Sequence, residues 1–139
     1  MTAYDTNNVF AKILRGEMPA HKVAEDDASF AFMDIMPRSD GHVLVIPKGP
    51  YRNILDITPD AYAAMHPMVK RVAIAAKAAM GADGITILQA NEHAGGQVVF
   101  HLHVHILPRW AGVDLRRPGT MGDQKALAAN AEKIRAALV

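Results

Sequence analysis

Three of the seven histidines stand at alternate positions, His101, His103 and His105, with Leu102 and Val104 between them. An extended chain turns successive side chains to opposite faces, so the three imidazoles share one face while Phe100, Leu102, Val104 and Ile106 share the other. On an ideal strand, neighbours in such a set stand roughly 7 Å apart, close enough to line one pocket but too far for ring-to-ring hydrogen bonds. Near neutral pH an imidazole keeps one unprotonated nitrogen, so this face can supply a nucleophile, a general acid or base, or a metal ligand. Imidazoles two apart on a strand commonly hold zinc or a similar ion, and spacing alone leaves that chemistry open. Against it, no Asp or Glu lies on the stretch, and Glu92 sits across a glycine loop that a metal site would leave without a task.

That loop, Gly95-Gly96-Gln97-Val98, immediately precedes the histidines. Its backbone N–H groups are placed to converge on a phosphate oxygen while a neutral histidine attacks the phosphorus from the opposite side. Phosphoryl transfer asks for positioning, an in-line nucleophile and electrostatic support of the equatorial oxygens, and needs no metal for any of them. The nucleophile must donate from one ring nitrogen to a fixed acceptor, a backbone carbonyl being the simplest, so that the other carries the lone pair.

The elements that hold these groups follow from pattern. Asn7 or Asn8 caps a short helix with Phe10, Ile13 and Leu14 on one side and Gly16 as its stop. Extended stretches over 21–25 and 29–35, joined at Asp26-Asp27, form a hairpin. The turn Pro37–Gly41 leads into His42-Val43-Leu44-Val45-Ile46, a central strand ended by Pro47. Thr58-Pro59 opens a helix to Met80, expected to kink or divide near His66 because Pro67 cannot donate to the carbonyl four residues back. Its face of Met68, Val69, Val72, Ala76, Ala79 and Met80 is too apolar for full solvation and is expected to meet a second subunit, unless it covers the chain's own sheet. Further strands are expected over 84–89 and 98–107, then an irregular linker over 109–122, then a helix from about Asp123 with Leu127, Ala131, Ile134 and Leu138 on one side. Five strands with short connections predict an α+β domain built on an antiparallel sheet, of undetermined strand order.

Length and composition set the frame. A chain of 139 residues fits one domain, and with no cysteine it has neither disulfides nor thiolate chemistry, which suits a reducing compartment and makes the cytoplasm the expected one. The longest apolar run near the N-terminus is too short for a secretory leader or a membrane span, so no membrane association is expected. Fifteen basic against fourteen acidic residues, a formal charge of +1, is too weak a field for binding a nucleic acid polymer, although it permits one small nucleotide.

The run His101-Leu102-His103-Val104-His105-Ile106 resembles the His-x-His-x-His signature of the histidine triad (HIT) superfamily. Asn91, Gly95-Gly96-Gln97, Phe32-Met33-Asp34-Ile35 and Gly41-His42-Val43-Leu44-Val45-Ile46-Pro47-Lys48 match it in order and approximate spacing. The resemblance covers residues 7–109 of a single 1–139 domain and leaves 110–139 as a C-terminal extension. It implies a HIT-like fold, with a long helix between strands three and four and short terminal helices, in a homodimer. It also implies a metal-independent hydrolase without cofactor, acting on purine nucleotide conjugates at the α-phosphorus. The nucleoside phosphoramidate hydrolase branch is the nearest, with dinucleoside polyphosphate hydrolysis or non-catalytic nucleotide binding as alternatives. By motif position His103 is the nucleophile that becomes nucleotidylated, His101 and His105 handle phosphate and protons, and His42 orients the site. Asp34 receives the ribose hydroxyls, and Asn91, Gln97 and the backbone N–H of Val99 contact phosphate and leaving group. Val98 stands where many relatives carry a serine or threonine, so one hydroxyl donor is missing. Val9-Phe10-Ala11 lacks the cysteines with which some relatives hold structural zinc, and none is expected. Trp110 is expected to cover the nucleotide pocket, from its own subunit or from the partner.

Overall fold

Asp26 makes the first tight turn, its Oδ1 accepting from the Ala28 and Ser29 N–H groups and from Ser29 Oγ. In the computed structural model, which describes residues 2–139, this turn joins β1 (Lys22–Glu25) to β2 (Ser29–Met33), an antiparallel hairpin. β3 (Val43–Pro47), β4 (Gly84–Leu88) and β5 (Val104–Arg109) complete one sheet in the order β1-β2-β3-β5-β4, antiparallel throughout. The expected α+β fold class is the observed one. Non-neighbouring β3 and β5 become partners because α2 (Pro59–Met80) and β4 intervene between them in the chain.

The period of two in the strands assigns the layers. Ala31, Met33, Val43, Val45, Val104 and Ile106 face α2 and the C-terminal helix α3 (Gln124–Ala137) in the main core, with Met65, Met68, Val72, Leu127 and Ile134. Phe32, Leu44 and Ile46 face the other way, against Phe10 of α1 (Val9–Leu14). Each buried large apolar side chain contributes roughly 1.5–3 kcal/mol. Caps fall where the sequence places them: Asn8 Oδ1 accepts from Ala11 N–H, Thr58 Oγ1 from Ala61 N–H, and Asp123 Oδ2 from Ala126 N–H.

Three expectations need correction. α2 is one helix through Pro67 and is not divided there; the carbonyl that the proline leaves without a donor belongs to Ala63, which is exposed, so water can satisfy it. The methionine- and alanine-rich face of α2 is buried in the chain's own core, with Met68, Val72 and Ala76 fully covered, so it is not a surface awaiting a second subunit. Finally, β5 begins at Val104, not near Val98. The β3 residue that would pair beyond the ladder is Pro47, which has no N–H, and Leu102 N–H turns instead to the Tyr51 carbonyl at 2.9 Å. Among the described residues no helix is long and apolar enough to cross a membrane.

Candidate active site

The shortened strand leaves His101 and His103 in an irregular approach to β5 and only His105 inside it. Alternation nevertheless survives: Leu102, Val104 and Ile106 point into the main core, while Phe10 stands edge-on to both His101 and His103 from the opposite layer. Phe100 departs from the pattern, lying under the Arg52 guanidinium at 4.1 Å. The bend also brings the His103 and His105 rings to 4.9 Å between centroids, closer than a straight strand allows.

Each imidazole is fixed by neighbours whose donor or acceptor character is known. His103 Nδ1 lies 2.7 Å from the His101 carbonyl, which can only accept, so Nδ1 carries the proton and Nε2 the lone pair. His101 Nε2 lies 2.9 Å from the Pro47 carbonyl, so its Nδ1 is the acceptor for the Tyr4 hydroxyl at 2.6 Å. The Arg38 backbone N–H donates to His42 Nδ1 at 3.1 Å, leaving the proton on His42 Nε2, which donates to His105 Nδ1 at 2.9 Å. His105 therefore holds its proton on Nε2. Gly41, at φ +86°, makes this possible: a side chain there would collide with Met80 and Pro108 just where the chain turns into His42.

Burial keeps all four rings neutral. It depresses His42 to about 3, helped by neighbouring His105 and Arg38, and His101 to about 4 against the opposing pull of the Pro47 carbonyl. His105 falls to about 4 from burial and the charges of His103 and Arg38, and burial lowers His103 as well. Asp34 closes the line, its Oδ1 taking Met36 N–H and its Oδ2 lying 3.5 Å from His42 Nε2; burial raises its carboxyl.

Behind the triad, the glycine loop is a single 3-10 turn, His93–Gly95. The Gly95 and Gln97 N–H groups close onto the Glu92 carbonyl and that of Gly96 onto His93, so the glycines build the turn and do not offer donors. The N–H groups of Val98 and Val99 donate to nothing among the described residues.

A model of the HIT domain matches residues 15–112. The chain belongs to the HIT family. An adenylylsulfatase of Arabidopsis thaliana is 41% identical over 124 residues, covering 85% of this chain and 63% of its own length, so this chain spans less than two thirds of that relative. An adenosine 5'-monophosphoramidase of Schizosaccharomyces pombe is 39% identical over 101 residues, 73% of each chain. The crystal structure of a HIT-like protein involved in cell-cycle regulation from Bartonella henselae superposes with a TM-score of 0.92 at 49% identity, covering 98% of this chain and 100% of that one.

Within this HIT protein the expected site residues divide. His42, His101, His103, His105 and Asp34 converge as described. Val98 is 84% exposed, and neither its N–H nor that of Val99 has an acceptor among the described residues. Gln97 is buried with its amide fully engaged, Oε1 taking Asn53 Nδ2 and Glu92 N–H while Nε2 donates to the Arg52 and Val99 carbonyls; it builds the loop and has nothing left for a phosphate. Asn91 Oδ1 likewise receives Ile54 N–H and Gln89 Nε2, but Asn91 Nδ2 makes no bond among the described residues. Trp110 follows the far end of β5 and donates to the Gly81 carbonyl at 3.0 Å, which places it outside its own chain's triad.

The three triad rings do not gather around a point that an ion could occupy, since His101 has both nitrogens engaged. The donor atoms that do gather, within 4.8 Å, belong to Asp34, His42 and His105, and binding an ion there would require giving up the His42–His105 hydrogen bond. The sequence offered no signal for Tyr4, 97 residues from its partner His101, or for the Arg38 N–H that sets the His42 tautomer.

Proposed function

We propose that this HIT protein hydrolyses purine nucleotide conjugates at the α-phosphorus, passing the nucleotidyl group to His103 Nε2 and then to water. The observation that carries the reading is the fixed His103 tautomer: a buried, neutral imidazole with its proton committed to the His101 carbonyl and its lone pair on the outward nitrogen. In the first step Nε2 forms a bond to phosphorus as the bond to the leaving group breaks. The Nδ1–H···O=C contact supports the charge that the ring acquires. The departing group takes its proton from water while the His105 Nε2–H hydrogen-bonds it, and the His42 Nε2–H facing His105 Nδ1 helps to hold that ring in place. The hydroxide left by that transfer then attacks the phosphorus, the bond to His103 Nε2 breaks with its electron pair returning to the ring, and the nucleoside monophosphate is released. The Val98 and Val99 N–H groups receive a phosphate oxygen, Asp34 takes the ribose hydroxyls, and the base rests against the apolar Phe10–Phe32 layer. The activities named for the Arabidopsis and fission yeast relatives support a nucleotide substrate.

Brief mixing with an adenosine phosphoramidate, stopped in denaturant at alkaline pH, is expected to label one histidine with the nucleotidyl group, mapped by mass to His103. His103→Asn is expected to abolish labelling and to lower turnover by about a thousandfold or more, near 4 kcal/mol of barrier. A label on His101 or His105, or a variant that keeps a tenth of wild-type turnover, overturns the assignment.

A further inference from the structure

Glu92 is, among the described residues, the one non-glycine at positive φ, +65°. A glycine would adopt this conformation without strain, whereas a glutamate there raises the energy of the folded chain, and such strain persists only when its surroundings over-determine it. Here they do. Its carboxylate takes Arg52 Nε at 2.7 Å and Nη2 at 3.1 Å, and also Asn53 Nδ2. Its N–H donates to Gln97 Oε1 at 2.8 Å, and its carbonyl accepts from both Gly95 and Gln97.

The other side of this clamp is as firmly built. The Arg52 and Asn53 N–H groups both donate to the Asp56 carboxylate, and Arg52 is itself buried, lying over Phe100. Its carbonyl takes Gln97 Nε2, and the adjacent Tyr51 carbonyl takes Leu102 N–H. Segment 51–56 thus grips the loop upstream at Glu92 and downstream at Gln97 and Leu102. Between the downstream grips at Gln97 and Leu102 lie Val98 and Val99, whose N–H groups donate to nothing among the described residues and which stand two to five residues before His101 and His103. A turn needed only for stability would be served by glycine at position 92; what the glutamate adds is a direct tie from the loop to the segment that also anchors the triad approach.

We infer that Glu92, through Arg52 and Asn53, is a positioning residue for the reaction, fixing the Val98 and Val99 N–H groups where the equatorial phosphate oxygens arrive in the transition state. This rests on the function proposed above. Displacing such donors by about 1 Å can slow a reaction on the order of a hundredfold while leaving ground-state binding nearly intact.

The test uses Glu92→Gly, which removes the carboxylate but relieves the backbone, and Glu92→Gln, which keeps the length and the acceptor oxygen. Each is measured for melting temperature, kcat, KM and the single-turnover rate of His103 labelling. Glu92→Gly is expected to melt within a few degrees of wild type, yet to lose about thirtyfold in kcat and in labelling rate with KM changed less than about threefold. Glu92→Gln is expected to recover at least about fivefold of that loss. Wild-type kcat in Glu92→Gly, or a loss confined to KM or to melting temperature, overturns the inference. AMP binding is followed in parallel by the 31P shift of the bound phosphate. If wild type binds AMP but labels no histidine, the proposed function fails by itself, and the inference then depends on that shift: a difference between wild type and Glu92→Gly sustains it, and identity overturns it. Absence of AMP binding in wild type overturns both.

Discussion

Lowering the pH from 7 to 5 is expected to destabilise this protein far more than its near-neutral charge would indicate. His42 and His101, ordinarily titrating near 6.5, are held at about 3 and about 4 by burial. Between pH 6.5 and 4 the unfolded chain binds protons that the folded one refuses, so stability rises with pH through that window and is complete only above it. At pH 5 each of the two rings has given up about 2 kcal/mol, or about 4 kcal/mol together, a large part of the roughly 5–15 kcal/mol that holds an ordinary domain folded. His105, depressed to about 4 but only partly buried, adds to the loss. Asp34 works in the opposite sense, since its raised carboxyl takes up a proton earlier in the folded state and offsets part of the fall. The lowered carboxyls of Glu17, Glu25 and Glu92 lose their contribution mostly below this window.

Urea titrations followed by far-ultraviolet circular dichroism, at one protein concentration and at both pH values, read the effect directly. The expected result is a midpoint about 2 M lower at pH 5 with an unchanged slope. A shift under about 0.5 M would mean that the rings take up protons in the folded state near their ordinary range, and the neutral, directed set of hydrogen bonds assigned above would fall with it. Turnover measured on protein that is still folded should stay flat from pH 8 to 6, because no triad ring titrates there.

Asp34→Asn keeps the size and the acceptor for Met36 N–H while removing the charge; it should weaken binding of ribonucleotides about tenfold or more and leave deoxyribonucleotides much less affected, as read by calorimetry, and equal affinity for both would place Asp34 outside the sugar contact. Dimerisation is proposed through the edge strand β4, where Ile87 and Leu88 stand exposed at 46% and 41% beside an open row of backbone groups. Sedimentation at micromolar concentration should give twice the chain mass, Ile87→Lys should return it to a monomer, and a monomeric wild type at that concentration defeats the proposal.

The sheet was legible because its strands are short β-branched or aromatic runs bounded by turn residues, and the caps because Asn8, Thr58 and Asp123 each stand just before an apolar helical pattern. The triad was legible as a face, but the inward turn at His101–His103 was not, since it depends on Pro47 of a distant strand having no N–H to offer. Of the two readings of the α2 face, cover by the chain's own sheet is the observed one, because helical periodicity shows an apolar side and cannot show what covers it. In the loop, residue type pointed to the glycines as phosphate donors, whereas hydrogen bonding gave their N–H groups to the turn and left those of Val98 and Val99 free. A count of side-chain amides could not reveal that Gln97 has every donor and acceptor engaged, because its partners Asn53 and Arg52 lie more than forty residues away.

The choice of a carbonyl, rather than a carboxylate, behind His103 has a chemical consequence. A carboxylate at Nδ1 would raise the basicity of the ring and make it a stronger nucleophile, but also hold it protonated further up the pH scale. The His101 carbonyl orients the ring without adding a full charge, and burial pulls the basicity down. Such an imidazole attacks phosphorus less eagerly, yet it is unprotonated at neutral pH and leaves more readily once nucleotidylated. The proposed double displacement would gain from that balance, because an intermediate that is too stable would stall the reaction after the first step. The neighbouring rings obey the same restraint, each tied to a neutral partner, so that in the proposed reaction the leaving group meets the neutral His105 Nε2–H as a hydrogen-bond donor and takes its proton from water. Asp34, the one carboxylate within reach, lies 3.5 Å from His42 Nε2, removed by a ring from the His105 Nε2–H.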